Sequence, residues 1–203
     1  GDLIRTLHEL IRKGSFDAVL IETTGLADPG PIAQSFFIDQ ELKSQLMLDA
    51  IVTLVDAKHI WLHLDSDRAA QEQIAFADVV LLNKIDLVPT VEVDRLEVRV
   101  RSINAFTQIY RTRDAEIPLE RILGLGAFDL SRKPEIHEEH EHDGEIGSIA
   151  LVEPGALDGK RLNAWLGSLL KTRGLDIFRM KGIVEVAGEP RRVVFQGVHM
   201  MFD

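Results

Sequence analysis

Four consecutive residues, Asn83-Lys84-Ile85-Asp86, follow an unbroken aliphatic run, Val79-Val80-Leu81-Leu82. A carboxylate at Asp86 can accept from both the ring N–H and the exocyclic amine of guanine. Adenine offers no such pair of donors, so a desolvated acceptor there rejects it. Asn83 supplies an amide able to contact the base or pin neighbouring loops. The aliphatic stem of Lys84 can cover a purine face. Asn and Asp also make plain turns after strands, so the signal lies in their place at the end of a buried strand, third in a strand–helix series. A second group, Glu22-Thr23-Thr24-Gly25, follows the run Ala18-Val19-Leu20-Ile21. An acid at a strand tip can orient Mg2+, usually through water, because Mg2+ dehydrates reluctantly. Gly25 lets the backbone approach a terminal phosphate closely; a helix-capping or loop carboxylate is the plainer role for Glu22. Asp56 ends the strand between the two groups and is a candidate for a supporting role.

A third group, His137, His140 and His142, is interleaved with Glu138, Glu139, Glu141 and Asp143. Neutral imidazoles suit Zn2+, Co2+ or Ni2+. A segment lacking surrounding groups to fix ligand geometry captures metal loosely and transiently; a solvated acidic linker with idle histidines is the alternative. His8, His59, His63 and His199 read as surface or packing residues, and Arg179 and Lys181 as strand-face charges.

Composition removes several classes. There is no cysteine, so neither a disulfide nor a thiolate ligand can form within the chain. Lys and Arg total 23 against 33 Asp and Glu, a net charge of −10, which disfavours a broad nucleic-acid-binding face. Six carboxylates and no Lys or Arg lie between Glu135 and Glu145. No apolar run approaches the ~20 residues of a membrane helix. A phosphate loop of the form G-x-x-x-x-G-K-[ST] is absent from these residues. With Gly1 in place of Met and an apolar strand running to Asp203, the chain reads as a piece of a longer protein whose phosphate loop lies upstream.

Positioning these residues takes a particular scaffold. Apolar runs at 18–21, 50–55, 79–82 and 108–112 alternate with helical patterns at 33–37, 66–77 and 91–103. Continuous apolar strands separated by helices predict an α/β fold with a parallel sheet covered on both faces. Ligands then sit beyond the carboxyl ends of the strands. Leu3, Leu7, Leu10 and Ile11 predict an amphipathic helix ended by Gly14. The charge-rich stretch cannot bury a face and reads as linker. A second unit follows: a strand at 148–152, a helix from Asp158 to Gly174 with Leu162, Trp165, Leu166, Leu169 and Leu170 on one stripe, and strands at 177–186 and 191–200. The predicted domains are 1–113, 114–147 and 148–203.

The segments Gly1-Asp2-Leu3, Ile21-Glu22-Thr23-Thr24-Gly25-Leu26-Ala27-Asp28-Pro29, Leu54-Val55-Asp56-Ala57 and Asn83-Lys84-Ile85-Asp86 together resemble CobW-type GTPases. The His-rich linker, Arg179-Met180-Lys181-Gly182 and Phe195-Gln196-Gly197-Val198 extend the likeness. These are metal-homeostasis GTPases related to the nickel-insertion GTPases of urease and hydrogenase maturation. The resemblance implies a partial P-loop GTPase-like sheet followed by a small α+β CobW C-terminal domain. It implies Glu22 as the acidic Mg2+ residue, Gly25 as the γ-phosphate contact, and Asn83, Lys84 and Asp86 as the guanine readers. The stretch after Glu22 would be a switch segment. A P-loop and a Cys-x-Cys-Cys metal motif would lie just upstream of Gly1. The implied function is GTP-hydrolysing delivery of zinc or cobalt to a client protein or to cobalamin synthesis. GTP, Mg2+ and Zn2+ (or Co2+) are the expected ligands; His137, His140 and His142 are the metal-capturing residues. A cytoplasmic protein with no nucleic-acid or membrane partner is expected, with a homodimer left open. The rival is a non-catalytic metal buffer working through the His/Glu linker.

Overall fold

The computed structural model describes residues 2–14, 16–25, 27–128, 146–198 and 201–202. Its centre is a parallel sheet of β1 (Val52–Asp56), β2 (Val79–Asn83) and β3 (Gln108–Arg111), in that spatial order. Asp56 stands opposite Asn83, and Leu82 opposite Arg111, so all three strands end at one rim. β2 is buried along its whole length, as its four-residue apolar run requires, and Asn83 at its end is buried with it.

The crossovers are α4 (Arg68–Phe76) and α5 (Thr90–Ile103). Both move the chain the same way across the sheet, so the right-handed rule sets them on one face. Val93, Leu96, Val100 and Ile103 recur at helical spacing on α5 and bury against Ile74, Phe76, Val80 and Leu82. Asp67 caps α4 by accepting from the Ala69 N–H, and Asn104 closes its other end, donating to the carbonyls of Ile74, Ala75 and Ala77. On the opposite face Val79 and Leu81 are buried, while their partners Val52 and Leu54 on β1 are exposed.

Three more helices, α1 (Asp2–Lys13), α2 (Gly30–Ile38) and α3 (Gln40–Gln45), share a smaller core of Leu7, Phe36 and Leu42. α1 ends at Lys13, directly before Gly14, the expected end of the helix. The run 18–21, expected as a buried strand, joins no sheet. Only Val19 packs on the smaller core, and Leu20 is 81% exposed. Apolar content alone does not make a strand: a ladder partner is needed, and no described backbone group supplies one.

The C-terminal part holds α6 (Gly159–Arg173), capped by Asp158, and an antiparallel sheet of β4 (Arg179–Val184), β5 (Val193–Val198) and β6 (Met201–Phe202). The strand expected at 148–152 is absent. Ile149, Leu151 and Val152 are exposed, and the nearest ladder contact is an isolated bridge of Leu157, beyond the segment, to Val186. Gly182 faces Phe195 across the β4–β5 pair, and the ring lies where a β-carbon would stand.

Arg179 and Lys181 are not strand-face charges in solvent. Arg179 donates to the Phe76 carbonyl and to the Asp78 carboxylate, with its guanidinium 4.7 Å from the centre of the Phe128 ring. Lys181 Nζ donates to the Ala127 carbonyl at 2.9 Å and lies 3.5 Å from Asp78 Oδ1. The second oxygen of Asp78 accepts from the Ile51 N–H, so this buried carboxylate ties β4 to the root of the parallel sheet. Phe178 packs edge-on against Phe76 beside it.

Candidate functional site

β2 ends at Asn83, and the chain then turns through Lys84 in the left-handed region (φ 63°, ψ 33°). That conformation costs a non-glycine residue roughly 1–2 kcal/mol. It starts a single helical turn, Ile85–Leu87, with Asp86 at its middle. Asn83 is 7% exposed, and its Oδ1 accepts from Thr112 Oγ1 at 3.2 Å and from the Ala115 N–H at 2.9 Å. The Ile85 N–H donates to the Thr112 carbonyl. The loop after β3 is thereby stitched to the loop after β2.

Asp114 (φ 51°) and Ala115 (φ 56°) are also left-handed. Among the described residues, the three non-glycine positions with positive φ all fall in these two joined loops. Concentrated backbone strain of this kind marks a place where the surroundings fix an unfavourable conformation. Thr112, Arg113 and Ala115 were not singled out from the sequence, since nothing in their types announces a turn held from a distance by Asn83. Arg113 Nε lies 3.8 Å from Asp86 Oδ1, a loose pairing that leaves the carboxylate partly open to solvent.

Asp56 closes the same rim from β1. Its Oδ1 accepts from the N–H groups of Lys58 and His59, and its Oδ2 lies 2.7 Å from Lys84 Nζ and 3.0 Å from His59 Nδ1. Desolvation opposes its ionisation, but the hydrogen bonds from His59, Lys84 and the two amides outweigh it and hold the carboxyl well below the usual carboxylate range.

Glu22 and Gly25 stand apart from this cluster in contacts. Glu22 is exposed and makes no hydrogen bond or ion pair among the described residues. The carbonyls of Gly25 and Ala27 accept from Gln73 Nε2 of α4 at 2.9 and 3.1 Å. A β-carbon at Gly25 would meet nothing within 4 Å, so a ligand oxygen has room to approach its backbone. No described contact links either residue to Asn83, Lys84 or Asp86.

The rim therefore fits the base end of a guanine nucleotide: an acceptor carboxylate, an amide pinning two loops, and a lysine stem beside them. For Mg2+ the residues present supply one exposed carboxylate, Glu22, consistent with an ion held mainly by water and phosphate. His137, His140 and His142 lie outside the described residues. Among the described residues no group of three His, Asp or Glu side chains is placed to hold a metal ion. No helix among them is long and apolar enough to cross a membrane.

The CobW/HypB/UreG nucleotide-binding domain matches residues 1–111, and the cobalamin synthesis protein CobW C-terminal domain matches residues 146–203. The zinc chaperone YjiA of Escherichia coli is 33% identical over all of this chain and 65% of its own length. The zinc-regulated GTPase metalloprotein activator 1 of Saccharomyces cerevisiae is 28% identical over 98% of the chain and 58% of its own. The crystal structure of Zn(II)-bound YjiA GTPase from E. coli superposes with a TM-score of 0.86 at 31% identity, over 99% of this chain and 64% of that one. The chain thus spans less than two thirds of the relatives it matches.

Proposed function

The chain belongs to the CobW/HypB/UreG family, and on that footing we propose that the intact protein is a GTP-hydrolysing metal chaperone delivering zinc, or cobalt, to a client protein in the cytoplasm. The observation that carries the nucleotide part is the strained pair of loops joined through Asn83, with Asp86 presented at their rim. Asp86 accepts from the two donors of guanine, Asn83 fixes the loops around it, and Lys84 covers one face of the ring. Residues 1–113 form the nucleotide unit, 114–147 a metal-collecting linker and 148–203 a docking or regulatory unit.

Glu22 orients Mg2+ through water, and Gly25 meets the terminal phosphate. A bound Mg2+ would neutralise charge developing on the phosphates. Gln73, holding the Gly25 and Ala27 carbonyls, anchors one end of the switch segment against α4. Metal is cargo: His137, His140 and His142 gather it beside carboxylates that raise the local cation concentration.

The test is titration of the intact protein with labelled GTP and ATP, followed by a zinc isotherm of the triple variant His137→Ala, His140→Ala, His142→Ala. Tight GTP binding, weak ATP binding and weakened zinc uptake are expected. Equal binding of the two nucleotides would overturn the reading in favour of a metal buffer, and an unaltered zinc isotherm would remove the histidines from it.

A further inference from the structure

Asp56 belongs to none of the residue groups that read a base, yet it is the most heavily bonded side chain at the rim. All its contacts are made within the protein: two amides on one oxygen, Lys84 and His59 on the other. Its strand position places it opposite Asn83, one residue before Lys84 in the register of the rim. Lys84 leaves β2 in a left-handed turn, and its Nζ reaches the tip of the adjacent strand. The lysine stem must therefore cross the gap between the tips of β1 and β2, roughly 4.8 Å in a sheet. Lys84 is 47% exposed at its side chain, so without this anchor the flexible four-carbon stem would sample many rotamers in water.

We infer that Asp56, steadied by His59, is a positioning residue that lays the Lys84 stem as a floor for the purine ring. The inference rests on the guanine reading of Asp86 but assigns a separate task. Asp86 recognises the edge of the base and sets which base binds. The Asp56–Lys84 pair acts on the face of the ring and sets how tightly any purine is held. His59, read from the sequence as a surface or packing residue, then acts through Asp56: its ring nitrogen shares Oδ2 with Lys84 and its N–H caps Oδ1.

The experiment uses the intact protein and compares GDP with IDP, which lacks the exocyclic amine. In Asp56→Asn the side-chain oxygen can still accept the Lys58 and His59 amides, so the turn is kept while the charge pair is lost. We expect GDP and IDP affinities to fall together by about fivefold, with their ratio unchanged. Lys84→Met keeps an aliphatic stem and removes the anchor, so it should give the same loss. The double variant should be no weaker than either single one, because Asp56 acts through Lys84. Losses that add, or an Asp56→Asn affinity within twofold of the parent, would overturn the inference. Asp86→Asn is the control for the reading beneath it: a collapsed GDP/IDP ratio supports base-edge recognition, and an unchanged ratio removes that reading, whereas the Asp56→Asn and Lys84→Met losses decide the positioning role.

Discussion

Replacing Arg179 with methionine should lower stability by about 3 kcal/mol. Arg179 and Asp78 are 7% and 6% exposed at their side chains. Removing one partner of such a pair strands a buried charge, which costs about 3–5 kcal/mol. The lost contact with the Phe128 ring adds about 1 kcal/mol. Three features pull the sum down. Lys181 stays within 3.5 Å of Asp78 Oδ1, the Ile51 amide still serves the other oxygen, and the variant removes a buried Arg179 Nε that has no hydrogen-bond partner. Urea unfolding provides the assay, because the chain holds two tryptophans, Trp61 beside the parallel sheet and Trp165 on α6. With a slope near 2–3 kcal/mol per molar urea for a chain of this size, the midpoint should fall by about 1 M. Adding Asp78→Asn alone would leave Lys181 buried without its counter-charge, so the comparison is the charge-free triple variant with Lys181→Met, which should recover at least half of the loss. A midpoint shift below about 0.3 M, or a triple variant no more stable than Arg179→Met alone, would refute the buried latch.

Lys181 carries a pH signature. Burial first, and then the neighbouring Arg179 charge, bring its pKa down to about 8, against the pull of Asp78. The unfolded chain binds this proton more tightly, so stability should rise between pH 8 and 10.5. The parent-minus-Lys181→Met difference should climb by about 3 kcal/mol across that window; a flat difference would contradict it. Asn104→Ala should cost about 2–3 kcal/mol, because three carbonyls ending α4 lose their donor; calorimetry should show a melting temperature lower by about 4–12 °C. Gly182→Val drives a side chain into the Phe195 ring, and a loss of about 1–3 kcal/mol is expected in denaturant titration.

What could be read from the residues was local. The aliphatic run of β2 and the four residues after it located the rim, because a fully buried strand admits few other patterns. Asp158 and Gly174 bracketed α6 for the reason that caps are local chemistry. The apolar run 18–21 misled, since its pattern matches a strand but its ladder depends on residues distant in sequence. Arg179 and Lys181 misled for the same reason, and Asp78, their partner, was not singled out at all. Charges are usually solvated, and only the packing of β4 beside Phe76 and Phe128 buries them. The left-handed turns at Lys84 and Ala115 had no signal in residue type, whereas Asp114 is of a type that tolerates that region. Asn83 joins the two loops that carry them, reaching 29 residues ahead to Thr112 and further to Ala115.

The base-reading role of Asp86 is tested most directly by competing GTP, ATP and xanthosine triphosphate for the intact protein and for its Asp86→Asn variant. Xanthine carries a carbonyl where guanine carries the amine, so a side-chain N–H suits it and a carboxylate does not. The parent should prefer GTP over both rivals, and the variant should shift towards xanthosine triphosphate by about a hundredfold. The same order of affinities in both proteins would contradict the account.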